Sequence, residues 1–156
     1  MGNLRRQAQS HEDVLDILAA DAQLRFVTGQ SCREAVFGAL SAQFGLSGPE
    51  LSLSLGSACG AFAAGVLALS LAAKEEAQAL VQRFGEDFEA MHGSCQCAEI
   101  LEGVLGRSYR FPEEEQAYRD DHGRAACLGV VRRTVRLAGE LILSWMAEEE
   151  RPRCTA

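Results

Sequence analysis

Six cysteines stand out in a chain of 156 residues: Cys32, Cys59, Cys95, Cys97, Cys127 and Cys154. Thiols can pair as disulfides, ligate a metal, hold an iron–sulfur cluster, cycle in redox chemistry or pack as small buried hydrophobes. The chain opens with Met1-Gly2-Asn3-Leu4-Arg5-Arg6-Gln7, which is basic but is not followed by the apolar run of a secretory leader. Arg6 stands where a myristoylation signal carries Ser or Thr. A cytoplasmic location is therefore expected, and structural disulfides are rare there. Metal, cluster, redox and inert-thiol readings remain. Cys32, Cys59, Cys97 and Cys127 are spread along the chain at intervals of roughly 30 residues, unlike the close cysteine pairs of zinc ribbons and fingers. The one close pair is Cys95-Gln96-Cys97. There is no Cys-x-x-Cys-His haem attachment sequence and no thioredoxin-like Cys-x-x-Cys.

Other chemistry is sparse. The histidines are His11, His92 and His122. His92 lies near Cys95 and His122 near Cys127, so either could act as an alternate ligand or tune a site by hydrogen bonding. A surface or capping role is the simpler reading. Glu113-Glu114-Glu115 and Glu148-Glu149-Glu150 read as solvated faces. No Walker or dinucleotide-binding motif is present. The net charge is −7 and the pI about 5.0. The only basic cluster is Arg132, Arg133 and Arg136, set among acidic residues, so nucleic-acid binding is not expected. Hydrophobic residues make up 47% and charged residues 24% of the chain, as in a soluble globular protein. The longest apolar stretch, 58–73, is broken by Gly60, Gly65 and Ser70. It falls short of the roughly 20 residues of a membrane span, so no membrane insertion is expected.

The elements that must position the cysteines read as helices nearly throughout. Pro49, Pro112 and Pro152 lie outside the periodic runs, and no stretch alternates with period two. The expected fold is all-α: a compact bundle of about five to seven helices around a central apolar helix. Its expected organisation is an N-terminal tail over 1–9, one helical domain over 10–150 and a C-terminal tail over 151–156. Ser10 with Asp13 forms a capping box for a helix over 11–27, striped with Val14, Leu15, Leu18 and Leu24. Ser31 with Glu34 starts a second helix that runs to Phe44 and stops at Gly45. A short segment capped by Ser47-Gly48-Pro49-Glu50 reaches Leu55. The apolar helix covers 58–73, and its small Gly60, Ala61, Ala64 and Gly65 admit a neighbouring backbone. A more polar helix over 75–91 carries Leu80, Phe84 and Phe88. A short helix spans 97–105, and 106–121 is a partly helical acidic loop. The last helix spans 124–149, with Val130, Val131, Leu137, Leu141 and Trp145 on its apolar face. Trp145 and Leu141 read as core, with a homodimer as the alternative use of that face.

These boundaries place Cys32, Cys59, Cys97 and Cys127 each in about the first turn of a helix. A helix N-terminus presents unpaired N–H groups and partial positive charge, which stabilise a thiolate. Four thiolates around an oxidised two-iron, two-sulfide core would leave a net charge of about −2, a cluster of the type held by four cysteines. Converging helix N-termini would help to hold that anion.

The residues also resemble a known family. Cys59-Gly60-Ala61-Phe62-Ala63-Ala64-Gly65 carries a Cys-Gly-Ala core followed by a later glycine. Ser31-Cys32-Arg33-Glu34-Ala35-Val36 precedes it, and Gly93-Ser94-Cys95-Gln96-Cys97-Ala98-Glu99-Ile100-Leu101 and Cys127-Leu128-Gly129-Val130-Val131 follow. Over about 11–145 this is similar to the C-GCAxxG-C-C family of redox-active proteins. The same domain type occurs in split-Soret cytochromes c, where it carries a [2Fe–2S] cluster. The resemblance implies that the family's four cysteines fall on Cys32, Cys59, Cys97 and Cys127. The third is placed at Cys97 by the following Glu99-Ile100-Leu101, so Cys95 and Cys154 are extras. The glycine-rich stretch that often precedes the second family cysteine is reduced to Gly56, and nothing corresponds to the haem-binding part of the cytochromes.

The leading expectation is a small helical redox protein. Cys32, Cys59, Cys97 and Cys127 would bind a [2Fe–2S] cluster, with Cys95 and His92 as alternate ligands, and one electron would pass to or from a redox partner protein. Three alternatives stay open. One is a thiol–disulfide protein using Cys95 and Cys97 or a pair of the four. Another is a zinc or copper site, and the third is an interaction module with inert thiols and no cofactor.

Overall fold

A computed structural model describes residues 9–48 and 57–151. Most of the expected N-terminal tail, the short segment ending at Leu55, Cys154 and the C-terminal tail beyond Arg151 lie outside the described residues. Among the described residues, seven α-helices follow one another: α1 His11–Val27, α2 Cys32–Phe44, α3 Gly60–Ala73, α4 Ala77–His92, α5 Cys97–Leu105, α6 Glu115–Asp120 and α7 Gly123–Glu149. A 3-10 turn, Lys74–Glu76, joins α3 to α4. Among the described residues there is no strand, only an isolated antiparallel bridge between Ala58 and Gln96. The fold is all-α.

Side-chain caps set the first two helices. The Asp13 N–H donates to Ser10 Oγ (3.1 Å) while the Ser10 N–H donates to Asp13 Oδ2 (3.0 Å), satisfying two otherwise orphaned donors. The same exchange between Ser31 and Glu34 fixes the start of α2, and Gly45 ends it in the left-handed region at φ 64°.

α3 is apolar nearly all round. It packs on α2, α4 and α7, with Ala61, Ala64, Ala68 and Leu69 fully buried. Gly65 makes its contact with α4 possible, because a Cβ there would lie 2.2 Å from Phe84 Cζ. Phe62, Phe84 and Phe88 form an aromatic trio across this interface, with ring centroids 5.1–5.9 Å apart. The long α7 touches each of the six other α-helices.

Two expected stripes hold in part. On α1 the buried residues are Val14, Leu15, Leu18, Ala19, Ala22 and Phe26, while Leu24 is exposed. On α7 the buried face is Val130, Val131, Thr134, Val135, Ala138 and Ile142, and Leu137, Leu141 and Trp145 flank it half-buried. The cause is close approach. Leu18 of α1 lies where a Cβ on Gly139 would be, 2.5 Å from its Cδ1, so α7 meets α1 most closely at Ala138 and Gly139. The Thr134 hydroxyl is accommodated in this core by donating to the Val130 carbonyl at 2.6 Å. Trp145 Nε1 donates to Glu76 at 3.0 Å.

Candidate functional site

Four elements bring cysteines to one end of the bundle. Cys32 is the first residue of α2, immediately after the cap Ser31. Cys59 is the N-cap of α3, one position outside the helix expected to contain it. Cys97 opens α5. Cys127 is the fifth residue of α7, beyond the first turn that sequence reading assigned to it.

Backbone pairing fixes two of them. Around the Ala58–Gln96 bridge, the Cys59 N–H donates to the Cys95 carbonyl at 2.8 Å and the Cys97 N–H donates to the Ser57 carbonyl at 3.2 Å. The Ser57 hydroxyl bonds the Gln96 side chain across the same bridge. The buried Ser94 holds the turn before α5: its Oγ accepts from the Gln96 N–H at 2.9 Å and donates to the Glu99 carboxylate. α2 meets this unit at Gly60, where an added Cβ would stand 3.4 Å from the Arg33 nitrogen and 3.6 Å from Cys32 Cβ. The glycine of the Cys-Gly-Ala core thus sits where the two helix starts touch.

The fourth cysteine is approached from the loop. A Cβ on Gly123 would fall 2.1 Å from the Tyr118 ring, so the glycine lets that ring lie flat against the start of α7. Tyr118 then donates its hydroxyl to Cys127 Sγ at 3.0 Å. Tyr109, Tyr118 and Leu101 form a small satellite core against which Cys97 and Cys127 pack. Arg124, one turn before Cys127 and stacked over Phe26 at 4.0 Å, donates to the carbonyls of Phe26 and Gln30.

The electrostatics link the four thiols. Interaction with the neighbouring Cys127 thiol pushes the Cys32 thiol well up; burial and the charges of Cys127, Cys59 and Cys97 add to this. Cys127 moves the other way, down to about 7, because the Cys32 thiol, the Tyr118 hydroxyl and the Arg124 charge favour its thiolate over the opposing effect of burial. Burial pushes Cys97 up to about 11, helped by the charges of Cys59 and Cys127. Cys59 is raised chiefly by burial. Its sulfur faces the N–H groups of Ala61 and Phe62, which pull it back down without closing a geometric N-cap bond. Helix-start stabilisation thus acts at Cys59. At Cys127 the tyrosine, the arginine and the neighbouring thiol take its place.

The remaining candidates lie apart. Cys95 is raised by burial and by Glu89, and its charge in turn raises Cys59. His92 packs against Phe88 with ring centroids 4.5 Å apart and the rings tilted; burial and Arg133 lower its pKa, and its Nε2 is buried without a hydrogen-bond partner. His122 occupies the N-cap position of α7 with φ 61°, and its side chain makes no capping hydrogen bond. Among the described residues, no three His, Cys, Asp or Glu side chains are grouped as donors to a single metal ion. An open groove of about 580 Å³, lined by Ser31, Cys32, Arg33, Glu34, Gly60 and Phe111, reaches the site from the Cys32 side.

Sequence reading missed Tyr118 and Arg124. Arg124 was within reach of it, since a cation three residues before a helical cysteine shares its face. Tyr118 lies on another element, and only the folded loop brings it to Cys127.

No curated protein and no solved structure matches the chain. A family described as "Putative redox-active protein (C_GCAxxG_C_C)" matches residues 30–141, a stretch that runs from just before Cys32 through Cys59, Cys97 and Cys127. With most of its length inside that match, this chain belongs to the C-GCAxxG-C-C family of redox-active proteins.

Proposed function

We propose that Cys32, Cys59, Cys97 and Cys127 hold a [2Fe–2S] cluster and that the chain exchanges single electrons with a redox partner protein. The observation that carries this reading is the electrostatic reach among four thiols brought together by four separate helices. Sulfur is the donor that iron–sulfur clusters take, with two cysteines at each iron rather than three around one ion. The four-thiol set fits that demand. When bound, such a cluster takes up and returns one electron. The residues around it do the rest. The Ala61 and Phe62 N–H groups, Arg124 and Tyr118 offset negative charge on the sulfurs, and the groove beside Cys32 brings a partner's surface to the site. Anaerobic purification or reconstitution, with a visible spectrum and iron and sulfide analysis, tests the reading. Two irons and two sulfides per chain are expected. A colourless protein that takes up neither would refute it.

A specific observation favours a second reading. The Cys32 and Cys127 thiols lie within each other's electrostatic reach, with Cys127 held toward its thiolate, as a dithiol would be. It would give two electrons and two protons to a disulfide-bearing partner and become a disulfide itself. Loss of two titratable thiols on oxidation, in a protein without iron, would mark this outcome.

A further inference from the structure

We propose that Tyr118 is a positioning residue that sets the reduction potential of the cysteine site by donating its hydroxyl to Cys127 Sγ. The inference rests on the redox reading above and deepens it. The O–H···S distance is 3.0 Å, and Cys127 Sγ is the hydrogen-bond partner that the structure gives this buried hydroxyl. The ring is locked rather than placed by chance. Gly123 leaves the space that it fills, and Tyr109 and Phe111 meet it edge-on at 5.7 and 5.2 Å. Tyr109 provides an internal comparison: it sits in the same aromatic cluster, but its hydroxyl donates to Asp121 at 2.5 Å and not to a sulfur.

The chemistry follows from where charge goes. A one-electron donor reduces the oxidised cluster, and the added negative charge spreads onto the ligating sulfurs. A hydrogen bond to sulfur is stronger in that reduced state, so it favours reduction and raises the potential. Removing the hydroxyl while keeping the ring removes that preference and leaves the packing in place.

The experiment uses the full chain, reconstituted anaerobically with iron and sulfide, in wild-type, Tyr118→Phe and Tyr109→Phe forms. Each is titrated with dithionite and mediator dyes while the visible spectrum is followed. Tyr118→Phe is expected to keep its iron and sulfide content but to shift the reduction equilibrium about tenfold toward the oxidised form, a fall of about 59 mV for one electron. Tyr109→Phe is expected to match wild type. An unchanged potential in loaded Tyr118→Phe overturns the inference, as does an equal fall in Tyr109→Phe, which would mark a packing effect. If wild type takes up no iron, the cluster reading fails on its own. The same three proteins are then equilibrated with dithiol–disulfide buffers, where loss of the Tyr118 bond to the Cys127 thiolate should again lower the potential. An unchanged equilibrium there, or a wild type that forms neither cluster nor disulfide, also overturns the inference.

Discussion

Neighbouring residues of the same type receive different chemistry here. Cys95 and Cys97 are two positions apart, on either side of the extended Gln96. Cys97 opens α5 and lies in the field of Cys59 and Cys127, whereas Cys95 precedes the helix and answers to Glu89 and burial. Cys97→Ser is therefore expected to strip iron from the reconstituted protein, while Cys95→Ser keeps iron content and spectrum nearly unchanged. Iron analysis of the two variants side by side checks this, and the opposite ranking would mean that the third ligand is misassigned. Cys97 and Cys127 diverge as well. The Cys32 thiol, Tyr118 and Arg124 hold Cys127 near 7, and burial holds Cys97 near 11. The thiolate is the nucleophile. In metal-free protein, alkylation of Cys127 should rise through about pH 7 and saturate while Cys97 is still unreactive, as peptide mapping after timed labelling would report.

At the scale of elements, small residues decide which faces meet. Gly65 and Gly85 are both helical glycines, but a Cβ on Gly65 would strike Phe84 while one on Gly85 meets nothing within 4 Å. Gly65→Ala should cost about 1–3 kcal/mol through overpacking. Gly85→Ala should gain up to about 1 kcal/mol from reduced backbone freedom in the unfolded chain. Urea unfolding of the two variants measures both signs. The same contrast explains what was legible in the sequence. Ser10 with Asp13 and Ser31 with Glu34 are local chemistry, and they mark the starts of α1 and α2 correctly. The Gly45 stop and the 97–105 helix were also readable from nearby residues. The facing of α1 and α7 was legible in part: Val14, Leu15, Leu18, Val130 and Val131 are buried as read, but Leu24 is exposed and Leu141 half-buried, because the Gly139–Leu18 approach that sets how α7 meets α1 joins two elements. The Ala58–Gln96 bridge and the Tyr118–Cys127 bond join residues on different elements, so no window of sequence contains them.

Across the whole molecule, the site ties together helices that begin from Cys32 to Gly123, so its protonation and its occupancy are properties of the fold. In the metal-free protein, burial raises Cys97 from its ordinary 9.0 to about 11 and also raises Cys59. A thiol raised in the native state keeps a proton that the unfolded chain releases. Its stabilising effect is complete below pH 9 and is lost as pH rises through 11. The urea midpoint of metal-free protein is thus expected to fall between pH 9 and 11, and the Cys97→Ser variant should fall less. A bound cluster changes the sign of the problem, because ligation requires thiolates and releases their protons at the outset. A ligand that binds only the native state, at 100 times its Kd, adds about 2.7 kcal/mol. Reconstituted protein should therefore unfold at higher urea than metal-free protein at pH 7 and hold that midpoint through the alkaline range where the metal-free form gives way. Equal midpoints with and without bound iron, or parallel alkaline losses, would mean that the four sulfurs do not act together on the folded state.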